Sequence, residues 1–296
     1  MRAITYYAII NKTSFKMNIK KIRIKHVLAP LVLALAIAGC QKMDRPEFGE
    51  IILDPPPPPY STLKNFFEFE ENPGDSGQFR MAVKAENITY VDGVSGKAAQ
   101  IGEGGYIVQQ AVNDSLKTPG SFTVAFWMNG VGPVINGAQG LFALSKNTEF
   151  WGNIEMFLEN NDNGDEGFLK VHMFNTNASD GKGEQWNEIK IPGILNKWTH
   201  IAVTYNASNS QLSIYADGQP TTIHNKVLDD GNYGDLNFTD VNGMVIGTYA
   251  FQTDPSLTNH GPEDWARSFN GALDQFRFYN VALSDSEITA LFDSKK

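Results

Sequence analysis

From Lys64 onward, apolar and polar residues alternate with a period of two, in runs of four to eight residues separated by clusters of Gly, Asn and Asp. Successive side chains on an extended strand point to opposite faces, so this pattern predicts strands with one buried face. They fall at residues 65–70, 88–91, 106–110, 122–128, 141–145, 153–159, 168–174, 185–191, 199–205, 212–216, 244–249 and 272–279. Two turns are signalled between them. Asn206-Ala207-Ser208-Asn209 joins the strands on either side, and Asp217-Gly218 supplies a tight turn after residue 216. Helical periodicity enters only at the end, where Ser284 can cap a helix, Glu287 can reach back to it, and Ile288, Leu291 and Phe292 form one stripe. No repeat of roughly 20 to 50 residues is present, which argues against a propeller or solenoid. The expected fold class is all-β, a two-sheet antiparallel sandwich with a short C-terminal helix.

The alternation also predicts which side chains face out. In 153–159, Ile154, Met156 and Leu158 point one way and Asn153, Glu155, Phe157 and Glu159 the other. In 168–174, Leu169, Val171 and Met173 face in, and Lys170, His172 and Phe174 face out. Phe122, Val124 and Phe126 leave Thr123, Ala125 and Trp127 outward, while Ile201, Val203 and Tyr205 leave His200, Ala202 and Thr204 outward. These strands are expected to give one sheet a mixed polar and aromatic outer surface, a concave groove. Sugars suit such a surface, because their C–H faces pack on rings while their hydroxyls need amides and carboxylates at set positions. The ligand candidates are Trp151, Asn153, Glu155, Glu159, His172 and Trp186. For Trp151 and Trp186 a second reading stays open, that of loop residues folded over the groove. Trp127 and Trp198 read as scaffold packing.

The N-terminal segment changes the picture. Lys20, Lys21, Arg23 and Lys25 precede an apolar run over 27–39, too short to span a bilayer, and Ala38-Gly39 then lead to Cys40, the only cysteine of the chain. This resembles the lipobox of bacterial lipoproteins. The resemblance implies removal of residues 1–39, acylation of Cys40 and several acyl chains as a stable anchor, since one chain alone holds only reversibly. Met17 begins a signal of ordinary proportions and is the expected start. Residues 40–60 follow as a proline-rich spacer, with five consecutive prolines at 55–59 that favour an extended polyproline II form. The domain proper is 61–296. The expected location is the bacterial outer membrane, with the domain displayed at the cell surface and the periplasmic face as the alternative.

Seven of the 24 basic residues and none of the 33 acidic ones lie in residues 1–39, which leaves a net charge of −16 on the remainder. That balance argues against a nucleic-acid partner. A lone cysteine allows no internal disulfide, so stability rests on core burial, with or without a metal ion.

Several blocks of the chain carry a family resemblance. They are Tyr90-Val91-Asp92-Gly93, Gly96-Lys97-Ala98-Ala99, Gly120-Ser121-Phe122-Thr123-Val124-Ala125-Phe126-Trp127, Lys197-Trp198-Thr199-His200-Ile201-Ala202-Val203-Thr204-Tyr205, Ile214-Tyr215-Ala216-Asp217-Gly218 and the stretch from Phe269 to Asn280. In this order they resemble the laminin G-like jelly rolls of the concanavalin A-like lectin/glucanase superfamily, over nearly all of 62–295. The resemblance implies a jelly roll and one of several jobs: lectin, carbohydrate-binding module, adhesion module or glycoside hydrolase. It also implies a structural Ca²⁺ at Asp274, the last-strand aspartate, for which a hydrogen-bonded structural role is the alternative. The loop 160–166 is a weaker calcium candidate.

Glu155-Met156-Phe157-Leu158-Glu159 has the glutamate spacing of the Glu-x-Asp-x-Glu strand of family sixteen glycoside hydrolases, which makes Glu155 and Glu159 the catalytic pair if the protein is an enzyme. Phe157 stands where that family has an aspartate. Carboxylates four residues apart on a strand have Cα atoms roughly 13 Å apart and must lean together to reach the roughly 5 Å of a retaining pair. His172, His200, His224 and His260 lack the spacing of a zinc site, and neither a phosphate-binding glycine loop nor a serine nucleophile elbow is present. The expectation is therefore a lipid-anchored envelope protein that binds carbohydrate without catalysis. A hydrolase and a module that binds other envelope proteins are the alternatives.

Overall fold

The computed structural model describes residues 61–238 and 240–295; the signal, Cys40 and the proline spacer expected above lie outside them. Among the described residues the strands are β1 (Leu63–Phe67), β2 (Lys84–Asp92), β3 (Lys97–Gln109), β4 (Phe122–Gly130) and β5 (Ala138–Leu144). They continue with β6 (Ile154–Glu159), β7 (Gly167–Phe174), β8 (Glu184–Ile191), β9 (Thr199–Asn206) and β10 (Gln211–Ala216). The last are β11 (Gln219–Pro220), β12 (Lys226–Val227), β13 (Met244–Ile246), β14 (Ala266–Ser268) and β15 (Gly271–Tyr279). Two α-helices accompany them, the single turn α1 (Asp114–Lys117) and α2 (Asp285–Ser294).

The strands form one ladder in the order β11-β10-β9-β4-β15-β3-β13-β5-β6-β7-β8, antiparallel throughout except for the short parallel pair β14 and β5. The ladder folds over at β3. Residues 99–101 of that strand pair with β15, whereas residues 107–109 pair with β13. Between them lie Gly102, Gly104 and Gly105; Gly104 has φ of +65°, and a side chain on Gly105 would meet the Asn87 carbonyl at 2.7 Å. Glycine supplies both the positive φ and the close approach that a sheet corner demands. The glycine cluster that read as a break before residue 106 is thus a bend inside one long strand.

Folding the ladder over sets β4, β9, β10 and β15 against β5, β6, β7 and β8, and the inward residues predicted from the alternation meet in one core. Phe142 of β5 lies 5.2 Å from Phe276 of β15, ring centroid to centroid, and Phe126 of β4 stacks on the same ring at 5.8 Å. Each such aromatic pair adds about 0.5–1.5 kcal/mol beyond area burial. One expectation is corrected here. The four strands read as sharing a single outer surface belong to two layers, β4 with β9 in one and β6 with β7 in the other, so the molecule has two outer faces rather than one mixed groove.

Turn chemistry follows the sequence signals. Asp217 and Gly218 have φ of +48° and +72°, the left-handed pair that a two-residue hairpin between β10 and β11 requires. The Asn206 side chain accepts the Ser208 amide at 3.0 Å and shapes the β9–β10 loop. Ser284 caps α2, its hydroxyl accepting from the Glu287 amide while the Glu287 carboxylate accepts from the Ser284 amide at 2.8 Å. The predicted strand 244–249 ends early. Gly247, at φ +88°, turns the chain after β13, and the next residues pass into a 3₁₀ turn, Ala250–Gln252, that swings Tyr249 and Phe251 across the sheet.

Candidate functional site

The outer face of β5 to β8 carries a second, aromatic layer. Phe157 projects from β6 away from the main core, and Trp151 lies parallel above it at 5.7 Å and 6°. Around Trp151 stand Phe150 at 4.9 Å and 90°, Trp186 of β8 at 5.0 Å and 86°, Tyr249, Phe251 and Trp265. Phe150 stacks on Phe251 at 4.3 Å. Alternation placed Phe157 on this face; the loops around residues 150, 250 and 265 then cover it. Trp265 remains 40% exposed, and Phe150, Trp151 and Trp186 keep part of their rings accessible. Beside them opens a pocket of about 190 Å³ lined by Lys146, Glu149, Phe150, Trp151, His172, Phe174 and Glu184.

Polar groups in this layer are arranged by burial. Glu184, on the exposed rim, accepts from Trp186 Nε1 at 3.2 Å and pairs with His172 Nε2 at 3.1 Å. Burial pushes the His172 pKa down to about 4, against the pull of the Glu184 charge, so the imidazole is neutral at pH 7. Glu155 is fully buried beneath the loops; its Oε2 accepts from the Gly152 amide at 2.8 Å. Desolvation raises its pKa to about 8, against the backbone hydrogen bonds from Gly152 and Ala250. The floor of the site is thus uncharged, and its charges, Lys146, Glu149 and Glu184, lie around the pocket.

The sequence candidates therefore separate into three sets. Trp151, His172 and Trp186 come together in and beside the pocket. Asn153 and Glu155 are corrected: they sit on the outward side of the strand but both are buried. Asn153 is occupied as scaffold, its Nδ2 donating to the Ser145 carbonyl at 2.6 Å and to Asp240 at 3.2 Å. Glu159 stands apart, at the far end of β6, 3.3 Å from Lys170. Glu155 is fully buried and bonded to the backbone of Gly152 and Ala250, while Phe157, between the two glutamates, stacks on Trp151. The arrangement offers indole edges and a small polar pocket.

Sequence reasoning missed Phe150, Glu184, Tyr249, Phe251 and Trp265. A signal was available in the density of aromatics at 149–151, 249–251 and 265, three loops distant in sequence. Nothing in the alternation says that these loops meet.

Asp274 of β15 is fully buried, and its Oδ2 accepts the amides of Val94 at 2.8 Å and Ser95 at 3.2 Å. Burial raises its pKa to about 6, with the amide bonds opposing the rise. Its Oδ1 lacks a hydrogen-bond partner. Among the described residues no three His, Cys, Asp or Glu side chains converge as a metal cluster. In the loop 160–166, Asn161 donates to the Glu166 carbonyl at 2.9 Å and accepts the Asn163 amide at 3.3 Å, closing the tip on itself.

With this geometry in place, comparison with known proteins settles the family. A family model described as the concanavalin A-like lectin/glucanases superfamily, Laminin_G_3, matches residues 102–289. The chain belongs to this family. No curated protein matches it. Among solved structures, this laminin G-like chain is similar to the binding domain of Paraclostridial Mosquitocidal Protein 1, at 18% identity and a TM-score of 0.56, covering 78% of this chain and 52% of that one. It is also similar to the binding domain of botulinum neurotoxin DC in complex with rat synaptotagmin II, at 16% identity and TM-score 0.53, covering 79% and 52%. The same toxin domain in complex with SialylT matches at 18% identity and TM-score 0.52, covering 79% and 50%. At these identities the likeness is one of fold, and the chain spans about half the length of the structures it matches.

Proposed function

We propose that this protein is a lipid-anchored envelope protein, tethered through Cys40, whose laminin G-like domain binds carbohydrate without catalysis on the aromatic face of β5 to β8. The observation that carries the reading is the partly exposed indole group of Trp151, Trp186 and Trp265 beside a small pocket lined by His172, Glu184 and Lys146. Rings supply flat apolar surface for sugar C–H faces, and the polar lining supplies oriented donors and acceptors. The likeness to toxin binding domains, one of them in complex with SialylT, supports binding as the class of activity. Binding to another envelope protein is the competing reading, and the toxin domain seen with rat synaptotagmin II supports it equally at the level of fold.

A glycan array probed with the full chain tests the proposal. Retention of one or more oligosaccharides, weakened by Trp265→Ala, supports it; silence across the array, together with a protein that co-purifies through the same face, replaces it with the adhesion reading. Labelling with radioactive palmitate tests the anchor, and Cys40→Ser is expected to abolish incorporation. Calcium at Asp274 Oδ1 is tested by thermal melts with Ca²⁺ and with chelator, where an identical midpoint would discard it.

A further inference from the structure

A second cleft, of about 540 Å³, opens where the bend of β3 meets β14 and the loop before β5. Its lining includes Glu103, Ile135, Asn136, Gln139, Thr248 and Arg267. Arg267 and Gln139 are register partners on the parallel strands β14 and β5, which brings both residues to the same cleft. The stem of Arg267 has room because residue 137 is glycine; a Cβ there would sit 2.8 Å from Arg267 Cγ.

Two groups in this cleft point to a ligand. Gln139 Oε1 accepts the Asn270 amide at 3.0 Å, which fixes the amide plane and leaves Nε2 as a donor toward the cleft. Arg267 donates from Nε to the Asn136 carbonyl at 3.3 Å, and none of its nitrogens lies within 4 Å of a carboxylate among the described residues. Six lysines of the same acidic domain, by contrast, each sit within 4 Å of an Asp or Glu. Glu103 lines the cleft without pairing to Arg267 and supplies one acceptor. A single guanidinium with one carboxylate acceptor and neutral donors suits a ligand that carries one carboxylate and several hydroxyls. It suits a densely sulfated chain poorly, because one guanidinium cannot match many sulfates. Ile135, 52% exposed, supplies an apolar edge for a sugar ring.

We propose that this cleft seats a carboxylate-bearing sugar, a uronic- or sialic-type residue, with Arg267 paired to its carboxylate and Gln139 bonded to one of its hydroxyl oxygens. This rests on the carbohydrate reading above and names the class of sugar. An arginine fork and a carboxylate form charge-assisted bonds about twice as strong as neutral ones, so removing either side is expected to weaken binding tenfold or more.

The experiment titrates the full chain calorimetrically with oligomers of galacturonate, glucuronate and mannuronate and with sialyllactose. Each is compared with its methyl ester, in which only the charge is masked, and with neutral oligosaccharides of equal length. At least one acid is expected to bind tenfold or more tighter than its ester. Arg267→Gln is expected to erase that preference, bringing acid affinity down to that of the ester. Arg267→Lys, which keeps the charge and loses the fork, should fall between. Equal affinity for acid and ester, or an acid preference that survives Arg267→Gln, overturns the proposal. If neutral oligosaccharides bind and Trp265→Ala weakens them while acids gain nothing, this inference falls and the carbohydrate reading stands; if no sugar of any kind binds, both fall.

Discussion

The two outer faces of the sandwich begin from the same materials and finish differently. Each has an outward histidine on a strand with a tryptophan against it: His200 and Trp127 on β9 and β4, and His172 on β7 with Trp151 and Trp186. The first face is closed by α2. Ala125 and Ala202 are small enough for Ile288 to pack directly on the sheet, and Phe292 stacks on Trp127 at 5.4 Å. Tyr215 and Thr289 tie the helix down through Asp285 and the Gly218 carbonyl. Neither His200 nitrogen has a hydrogen-bond partner, and burial, with the Arg277 charge adding, drives its pKa to about 3. The second face is roofed by loops of large rings that cannot tile it, so indole edges and a pocket stay open and His172 keeps the exposed Glu184 as partner. A helix laid on alanines makes a seal; bulky rings from three loops make a surface with gaps.

That contrast can be broken by mutation. Trp151→Ala removes the hub of the loop roof and is expected to cost about 3–5 kcal/mol in urea unfolding, the usual range for a large aromatic deleted from packed surroundings. Ile288→Ala should cost about 2–5 kcal/mol by loosening α2, and it should leave glycan affinity unchanged because it acts on the sealed face.

The pH dependence of stability sharpens the same comparison. Glu155 has a folded pKa near 8, above its ordinary 4.5, so the folded state holds the proton longer than the unfolded one. Its share of stability is complete below about 4.5 and is lost as pH rises toward 8, by at most about 1.4 kcal/mol per unit. Melting temperatures at pH 5 and pH 8 check this: Glu155→Gln should shrink the alkaline decline of the native protein, and an undiminished decline would refute the assignment. His200 and His172 act oppositely. Their folded pKa values, about 3 and about 4, lie below the ordinary 6.5, so their stability is complete above 6.5 and is lost as pH falls through that window. His200→Leu should flatten the acid limb, and an unchanged limb would show that His200 is not its source.

The smallest expected effect is at Trp265. Its ring is partly exposed, so Trp265→Ala should leave stability within about 0.5 kcal/mol while weakening glycan binding about tenfold. Unchanged affinity on an intact fold would place the ligand elsewhere.

Much of this was legible in the sequence because it is local. A period of two reports strand and facing, so Ile154, Met156 and Leu158, with Leu169, Val171 and Met173, could be assigned to the core, where they lie. Ser284 with Glu287 marks a cap, and Asp217-Gly218 marks a turn, because each depends on residues within a few positions. Only the tertiary structure decided what covers each face. Period-two alternation places Glu155, Phe157 and Glu159 on one side of a strand, yet it carries no record of the loops that bury the first, stack on the second and leave the third beside Lys170. The bend at Gly102–Gly105 likewise divides the strands between two layers, a division that depends on pairing over more than a hundred residues. The sequence by itself determined strands, their inward sides, the caps and the acidic balance; the meeting of distant loops, set by packing across the sandwich, decided which outward residues a ligand can touch.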